Sequence, residues 1–212
     1  MPGTVRHPVF ARSWRIISRF MERDVGEYRG ELLAGLSGRV IEVGAGNGLN
    51  FSRYPATTTE VVAVEPDAYL RRSAERAAAA ADVDVSVHYG LAQRLPFADG
   101  EFDAAVASLV LCSVPEQGPA LAELRRVLKP GGELRFFEHV RAEAPRKARI
   151  QRRLDRSGIW PLLGGGCHCS RETVAAIATA GFAVERVRRL EVGPSWSLSN
   201  PVMLGVARAP DG

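Results

Sequence analysis

The chain has little of several things, and each scarcity excludes something. Its 212 residues include only three cysteines, Cys112, Cys167 and Cys169. So odd and sparse a set does not make a disulfide framework. No apolar run approaches the roughly eighteen residues that a membrane-spanning helix needs. The opening MPGTVRHPVFAR has no continuous apolar stretch, so no signal peptide is expected and a cytoplasmic location is the expectation. Lysine occurs only at Lys129 and Lys147, although lysine and arginine together number 28. That bias, with the alanine runs, is compositional and carries no functional weight. Internal repeats and low-complexity linkers are lacking too, so one domain with at most a small appendage is expected.

Charge is also scarce outside one segment. The formal net charge is +4, and residues 141 to 156 hold seven basic and two acidic side chains, a local +5. The remainder is close to neutral, so the charge belongs to one patch rather than to a whole nucleic-acid-binding face.

What is present is an alternation of elements. Phe10, Trp14, Ile17 and Met21 recur at helical spacing, which predicts one or two helices over residues 9 to 34. SGRVIEV, EVVAVEPD, VDVSVHYG, FDAAVASLVL and ELRFFEHV read as strands. Between them NGLNFSRYP, AYLRRSAERAAAAA and PALAELRRVLKPGG read as helices, the last stopped by Pro130 and two glycines. SRETVAAIATAGF predicts a further helix, with Glu172 supporting its first turn, and AVERVRRLEV and PVMLGVARA predict two closing strands. The expectation is an α/β fold: a doubly wound, mostly parallel seven-stranded sheet with helices on both faces. Ligands of such sheets bind beyond the carboxyl ends of the strands.

The stretch VIEVGAGNGLN lies at such an end. Its glycines, Gly44, Gly46 and Gly48, are spaced G-x-G-x-G, one residue tighter than the dinucleotide fingerprint. Glu42 stands just before the turn, where a carboxylate would repel a pyrophosphate and suit an ammonium group. Glu65 ends the next strand, where a carboxylate can accept both hydroxyls of a ribose. The turn therefore asks for a ribose and a positive charge without a phosphate, which opposes a nicotinamide oxidoreductase.

At these residues the chain resembles the class I methyltransferases that use S-adenosylmethionine (SAM). VIEVGAGNG is similar to their glycine motif, VVAVEP to their ribose acid, LAQRLPFADGEFDAAVAS to their adenine segment and fourth strand, and LRRVLKPGGELRFFEH to their run into strand five. The resemblance covers residues 36 to 208. It implies a SAM-binding domain at 36–212, a helical cap at 1–35 and a helical lid at about 141–169. It implies that Glu42 faces the amino group of SAM and that Gly44, Gly46 and Gly48 admit the sulfonium and its tail. Glu65 would hold the ribose, Pro66 shape the turn beside it, Ala92 and Gln93 meet the adenine edge, and Ser108 and Leu109 lie beneath the methionine part. Many relatives have an aspartate where this chain has Leu91, so adenine contact is left to backbone groups or Gln93.

The acceptor is less legible. In-line methyl transfer needs positioning more than acid–base chemistry. The Asn/Asp-Pro-Pro-aromatic run of enzymes that methylate nucleobase amines is replaced here by SLVLCSV, so nucleic acid is not expected as a partner. Glu138 and His139 end the fifth strand, and His139 is a candidate base; the plainer alternative is that both fix the next loop by hydrogen bonds. VLCSV, EHV, the later GC and SW together resemble the methyltransferase-like alkyl thiol methyltransferases, which implies a small thiol as acceptor. A phenol or quinol is the alternative acceptor, and a non-catalytic SAM-binding regulatory protein the alternative of another class. Trp160, Cys167, His168 and Trp196 are the expected pocket residues, and Cys112 is expected in the core. Cys167, His168 and Cys169 are too close together to close one tetrahedral metal site without a second cluster, so no metal is expected. The stretch from Phe10 to Met21 is expected to cap the pocket rather than touch a membrane surface.

Overall fold

The computed structural model describes residues 22–211. The expected stripe from Phe10 to Met21 lies outside them. Helix α1 occupies residues 22–33, and the order continues β1 (Gly38–Val43), β2 (Thr58–Val64), α2 (Ala68–Ala78), β3 (Val85–His88), β4 (Phe102–Ser108), α3 (Gln117–Val127) and β5 (Leu128–His139). Then come α4 (Pro145–Arg156), α5 (Ile159–Leu163), α6 (Thr173–Thr179), β6 (Ala183–Glu191) and β7 (Pro201–Arg208).

The seven strands pair in the order β3-β2-β1-β4-β5-β7-β6. All pairs are parallel except β5 with β7 and β6 with β7. The strand order reverses between β1 and β4, so their carboxyl ends flank the topological switch point, where a ligand crevice opens. Val43 lies beside both Val64 and Ala107 there.

Alternation along the apolar strands divides the core into two layers. Ile41, Val62, Ala105 and Phe136 pack with Leu121, Leu124 and Ile177 from α3 and α6. Val40, Val61, Val106 and Phe137 pack on the other face with Leu32 and Leu33 of α1 and Ala74 of α2. Helix α2 starts where Asp67 accepts the amides of Tyr69 and Leu70, an N-cap that satisfies two otherwise orphaned donors. Helix α4 starts on Pro145, whose missing N–H costs nothing at that position. Its inward side is Ala148 and Gln151, and Ile150 is exposed. Gln151 docks the helix by accepting the Ala142 amide and donating to the Val140 and Leu198 carbonyls.

Two expected local elements differ. NGLNFSRYP forms only a 3-10 turn at Phe51–Arg53, because the left-handed Gly48 and then Pro55 leave too few residues for an α-helix. A Cβ at Gly48 would sit 2.8 Å from both Phe51 and Ala77, so glycine also lets this turn close onto α2. Glu172 precedes α6 as its N-cap residue without a side-chain cap bond, and is not in the first turn.

Candidate functional site: a cavity at the switch point

The carboxyl ends of β1, β2, β4 and β5 converge on a cavity of about 240 Å³. One part is lined by Glu42, Gly44, Gly46, Glu65, Pro66, Ala92 and Gln93, and another by Ser108, Leu109, Cys112, His139, Gly164 and Cys167. Most of the residues expected to hold a cofactor thus share one space. Gly48 is the exception, since it packs against α2.

The glycine turn is built for close approach. Gly44 has φ 62°, and a Cβ there would stand 1.8 Å from a Val110 methyl carbon, so no side chain fits. Glu65 pins this turn: one carboxylate oxygen accepts the Gly46 amide and the other the Asp67 amide, both at 2.8 Å. Burial pushes the Glu65 carboxyl up to about 7 against these two amides. A single 3-10 turn follows the glycines, so the backbone offers no α-helix N-terminus of the kind that cradles a pyrophosphate.

Glu42 is 2% exposed. It accepts hydrogen bonds from Asn50 Nδ2 at 2.8 Å and from the Tyr54 hydroxyl at 2.7 Å. Burial raises its pKa to about 7, opposed by these donors and by the Arg29 guanidinium. Arg29 reaches in from α1, donating to Asn50 Oδ1 at 2.9 Å and Ser108 Oγ at 3.2 Å. The cavity therefore presents a carboxyl group and a guanidinium side by side, a fit to a zwitterionic amino-acid tail. Arg29, Asn50 and Tyr54 were not expected from the sequence. A readable signal for Arg29 existed: it interrupts the buried series Val25, Leu32, Leu33 on the inward face of α1.

The catalytic candidates separate. Glu138 is fully buried and does not line the cavity. Its carboxylate accepts the amides of Val110 at 2.9 Å, Leu111 at 2.8 Å and Cys112 at 3.0 Å. Burial raises its pKa and the three amides work against that rise. The carboxylate holds the loop after β4, where Leu109 takes φ 59°, a conformation costing about 1–2 kcal/mol for a residue with a Cβ. His139 does line the cavity. Its Nδ1 lies 3.7 Å from Cys112 Sγ and 3.4 Å from Cys167 Sγ. Cys112 is thus a cavity residue as well as a buried one, and the adjoining Cys167 and burial hold its thiol well above the ordinary range.

Of the other expected pocket residues, only Cys167 lines the cavity. His168 Nδ1 lies 2.7 Å from the Gly166 carbonyl. The Trp160 indole N–H is buried with no partner among the described residues, away from the cavity lining. Trp196, expected as a pocket wall, is instead 83% exposed and is not among the residues that line the cavity. The sequence signal for it, an aromatic near the end of the last loop, does not distinguish a wall from a surface side chain. The cover over this end of the cavity comes from the glycine loop after α5, while the basic helix α4 contributes no lining residue. No helix among the described residues is long and apolar enough to cross a membrane.

Comparison with known proteins agrees with this geometry. A family model described as a methyltransferase domain matches residues 41–136. Human thiol S-methyltransferase TMT1A is 35% identical over 189 residues, covering 82% of this chain and 72% of that protein. A demethylmenaquinone methyltransferase of Renibacterium salmoninarum is 36% identical over 123 residues, covering 58% of this chain and 46% of that protein. Among solved structures, a SAM-dependent methyltransferase from Methanosarcina mazei superposes with a TM-score of 0.67 at 20% identity, over 86% of this chain and 97% of that one. With a methyltransferase-domain match in the strands that build the cavity and a thiol S-methyltransferase 35% identical over most of its length, the chain belongs to the class I SAM-dependent methyltransferases, enzymes that transfer a methyl group from S-adenosylmethionine.

Proposed function

We propose that the protein methylates the sulfur of a small thiol. The observation that carries this reading is the composition of the acceptor end of the cavity. Two cysteine sulfurs and one imidazole meet there, beside the strand ends where the cofactor motifs converge. The similarity to thiol S-methyltransferase TMT1A across most of this chain supports the same reading. A quinol acceptor is the second reading, favoured by the likeness to a demethylmenaquinone methyltransferase, although that likeness spans a smaller share of this chain.

SAM supplies an electrophilic methyl group, and the residues of this chain bind and orient it. In our assignment Glu42 receives the ammonium group and Arg29 the carboxylate of the amino-acid tail. Glu65 takes the ribose hydroxyls, and Ala92 and Gln93 border the adenine. Ser108 and Leu109 underlie the methionine portion. Gly44 and Gly46 let the backbone approach, and Pro66 shapes the wall next to Glu65. Glu138 acts here as a positioning residue, holding the loop that carries Cys112. The helix at 22–33 acts as a cap in this reading and delivers Arg29. The acceptor is a small molecule rather than a nucleic acid.

Methyl transfer from labelled SAM to a panel of alkyl thiols, phenols and quinols tests the acceptor. The expected result is thioether formation on thiols, read by mass spectrometry. Product only on phenols or quinols would replace the thiol reading, and SAM binding without product on any acceptor would favour a regulatory role. Trp196→Ala is expected to leave SAM affinity within about twofold of the parent, as surface changes usually do, by calorimetric titration.

A further inference from the structure

We propose that Cys112, Cys167 and His139 bind one zinc ion, with a fourth position open to the cavity and able to take the sulfur of the acceptor. The zinc site stands on the geometry alone. The clause about the acceptor rests on the thiol reading above.

The three donors come from three different places: the loop after β4, the end of β5 and the glycine loop after α5. Their ligand atoms all lie within 4.8 Å of one another, with sulfur-to-Nδ1 distances of 3.7 and 3.4 Å. Zinc–sulfur bonds of about 2.3 Å and zinc–nitrogen bonds of about 2.0 Å at tetrahedral angles place sulfur and nitrogen roughly 3.5 Å apart. The side chains therefore need little movement to close on an ion. Two thiolates and an imidazole form a soft set that suits zinc.

The scaffold fixes this arrangement. Glu138 holds the Cys112 amide, and the Cys112 carbonyl accepts the His168 amide at 2.8 Å, tying the two loops together. Gly166, at φ 93°, permits that approach, since a Cβ there would meet the Ser113 carbonyl oxygen at 2.8 Å. The neighbouring donors are engaged elsewhere: Cys169 Sγ lies 3.7 Å from Asp155, and His168 Nδ1 lies 2.7 Å from the Gly166 carbonyl. Among the described residues no fourth side chain joins the group. Three protein ligands with one position left to the cavity is the pattern of a catalytic zinc rather than a structural one.

The chemistry balances without a further reagent. Zinc binding releases the protons of Cys112 and Cys167 to solvent. An acceptor thiol entering the fourth position loses its own proton to solvent and stays a nucleophilic thiolate at neutral pH. Its sulfur forms the new bond to the methyl carbon as the carbon–sulfonium bond breaks, and the electron pair stays on the departing sulfur. The product thioether is neutral and a weak ligand, so it leaves the ion.

The test uses the full chain, kept reduced with a phosphine, stripped by chelation and titrated with zinc against a chromogenic chelator, then with cobalt(II) as a spectroscopic probe. The expected result is one equivalent of either metal, with thiolate-to-cobalt charge-transfer absorption and tetrahedral d–d bands. C112S and C167S should each weaken binding by about a hundredfold or more, since even outer-shell partners are worth about 10–100-fold, and should halve the charge-transfer intensity. C169S should preserve both, and SAM binding reports that each variant is folded. Failure of the parent to bind either metal overturns the site, as does binding lost in C169S and kept in C112S. A simple alkyl thiol added to the cobalt protein should raise the charge-transfer intensity; an unchanged spectrum overturns the open position. A spectrum that responds to thiol with no methyl transfer to any thiol would sink the thiol-methylation reading and leave the zinc site standing.

Discussion

Glu138→Ala is expected to lower the stability of the fold by about 4 kcal/mol, the largest effect of any single change considered. The reason is the number of groups that depend on one carboxylate. The amides of Val110, Leu111 and Cys112 all converge on it, and the Leu111 and Cys112 bonds are buried. A buried donor left without a partner costs about 1–3 kcal/mol. Alanine also leaves a void beneath the loop, and the left-handed Leu109 next to it stays in place only while its surroundings over-determine it. Glu138→Gln keeps one accepting oxygen but turns an NH2 group toward an amide that is itself a donor, so about half the loss is expected. Urea unfolding gives the midpoint, and an unchanged slope would show that the change lies in the native state. A loss below about 1 kcal/mol would mean that the three amides find other partners, and that the carboxylate is not what shapes the loop.

That role illustrates what a sequence hides. Glu138-His139 at the end of a strand offered a catalytic pair and, as the plainer alternative, two residues that fix the next loop, and the sequence could not say which of them would do which. Successive residues of a strand point to opposite faces, so the two side chains were bound to part company. One turned into the loop and the other into the cavity. The order of elements was readable because each strand is apolar and each helix periodic, and the sheet has four parallel strand pairs with β7 antiparallel to both β5 and β6 at its end. The glycine motif was readable because only glycine tolerates the contact at residue 44.

Contacts between distant segments were not readable. Arg29 meets Ser108 across 79 positions, and His139 meets Cys112 and Cys167 across 27 and 28. Proximity along the chain instead grouped Cys167 with His168 and Cys169, which the fold then separates: Cys169 turns to Asp155 on α4. Trp196 was chosen through the SW pair of the resemblance and Trp160 as a plausible wall, and neither signal says which way a side chain faces. The helix expected after the glycines failed for a local reason, since propensity cannot extend a helix between a left-handed glycine and a proline.

SAM affinity is expected to rise with pH through neutrality, because the site must ionise a carboxyl that burial keeps protonated. Glu42 is raised from 4.5 to about 7 by burial. It is faced by Arg29 from α1, and by Asn50 and Tyr54 from the turn after β1. Between these two values the folded, cofactor-free protein holds a proton that the unfolded chain has released. Stability of the free protein therefore falls as pH rises through that window, and Glu65, also raised to about 7, adds to the fall. In the proposed assignment binding reverses the balance at Glu42, because a cationic ligand favours the ionised form. The sulfonium keeps its charge at every pH, and the ammonium group, with an ordinary α-amino pKa near 8, keeps most of its charge up to pH 7.5, so the slope belongs mainly to the protein. One proton released at an apparent pKa near 7 gives an affinity gain of about eightfold between pH 6 and pH 7.5. If Glu65 ionises together with Glu42, the gain approaches the square of that figure. Calorimetric titration at several pH values, in buffers of different ionisation enthalpy, counts the protons directly. Glu42→Gln should remove one proton from the count and weaken binding at pH 7.5 by about a hundredfold, the loss of one charge-assisted contact in a buried site. A parent whose affinity is flat from pH 6 to pH 7.5 would show that Glu42 is already ionised in the free protein, with Arg29, Asn50 and Tyr54 outweighing its burial.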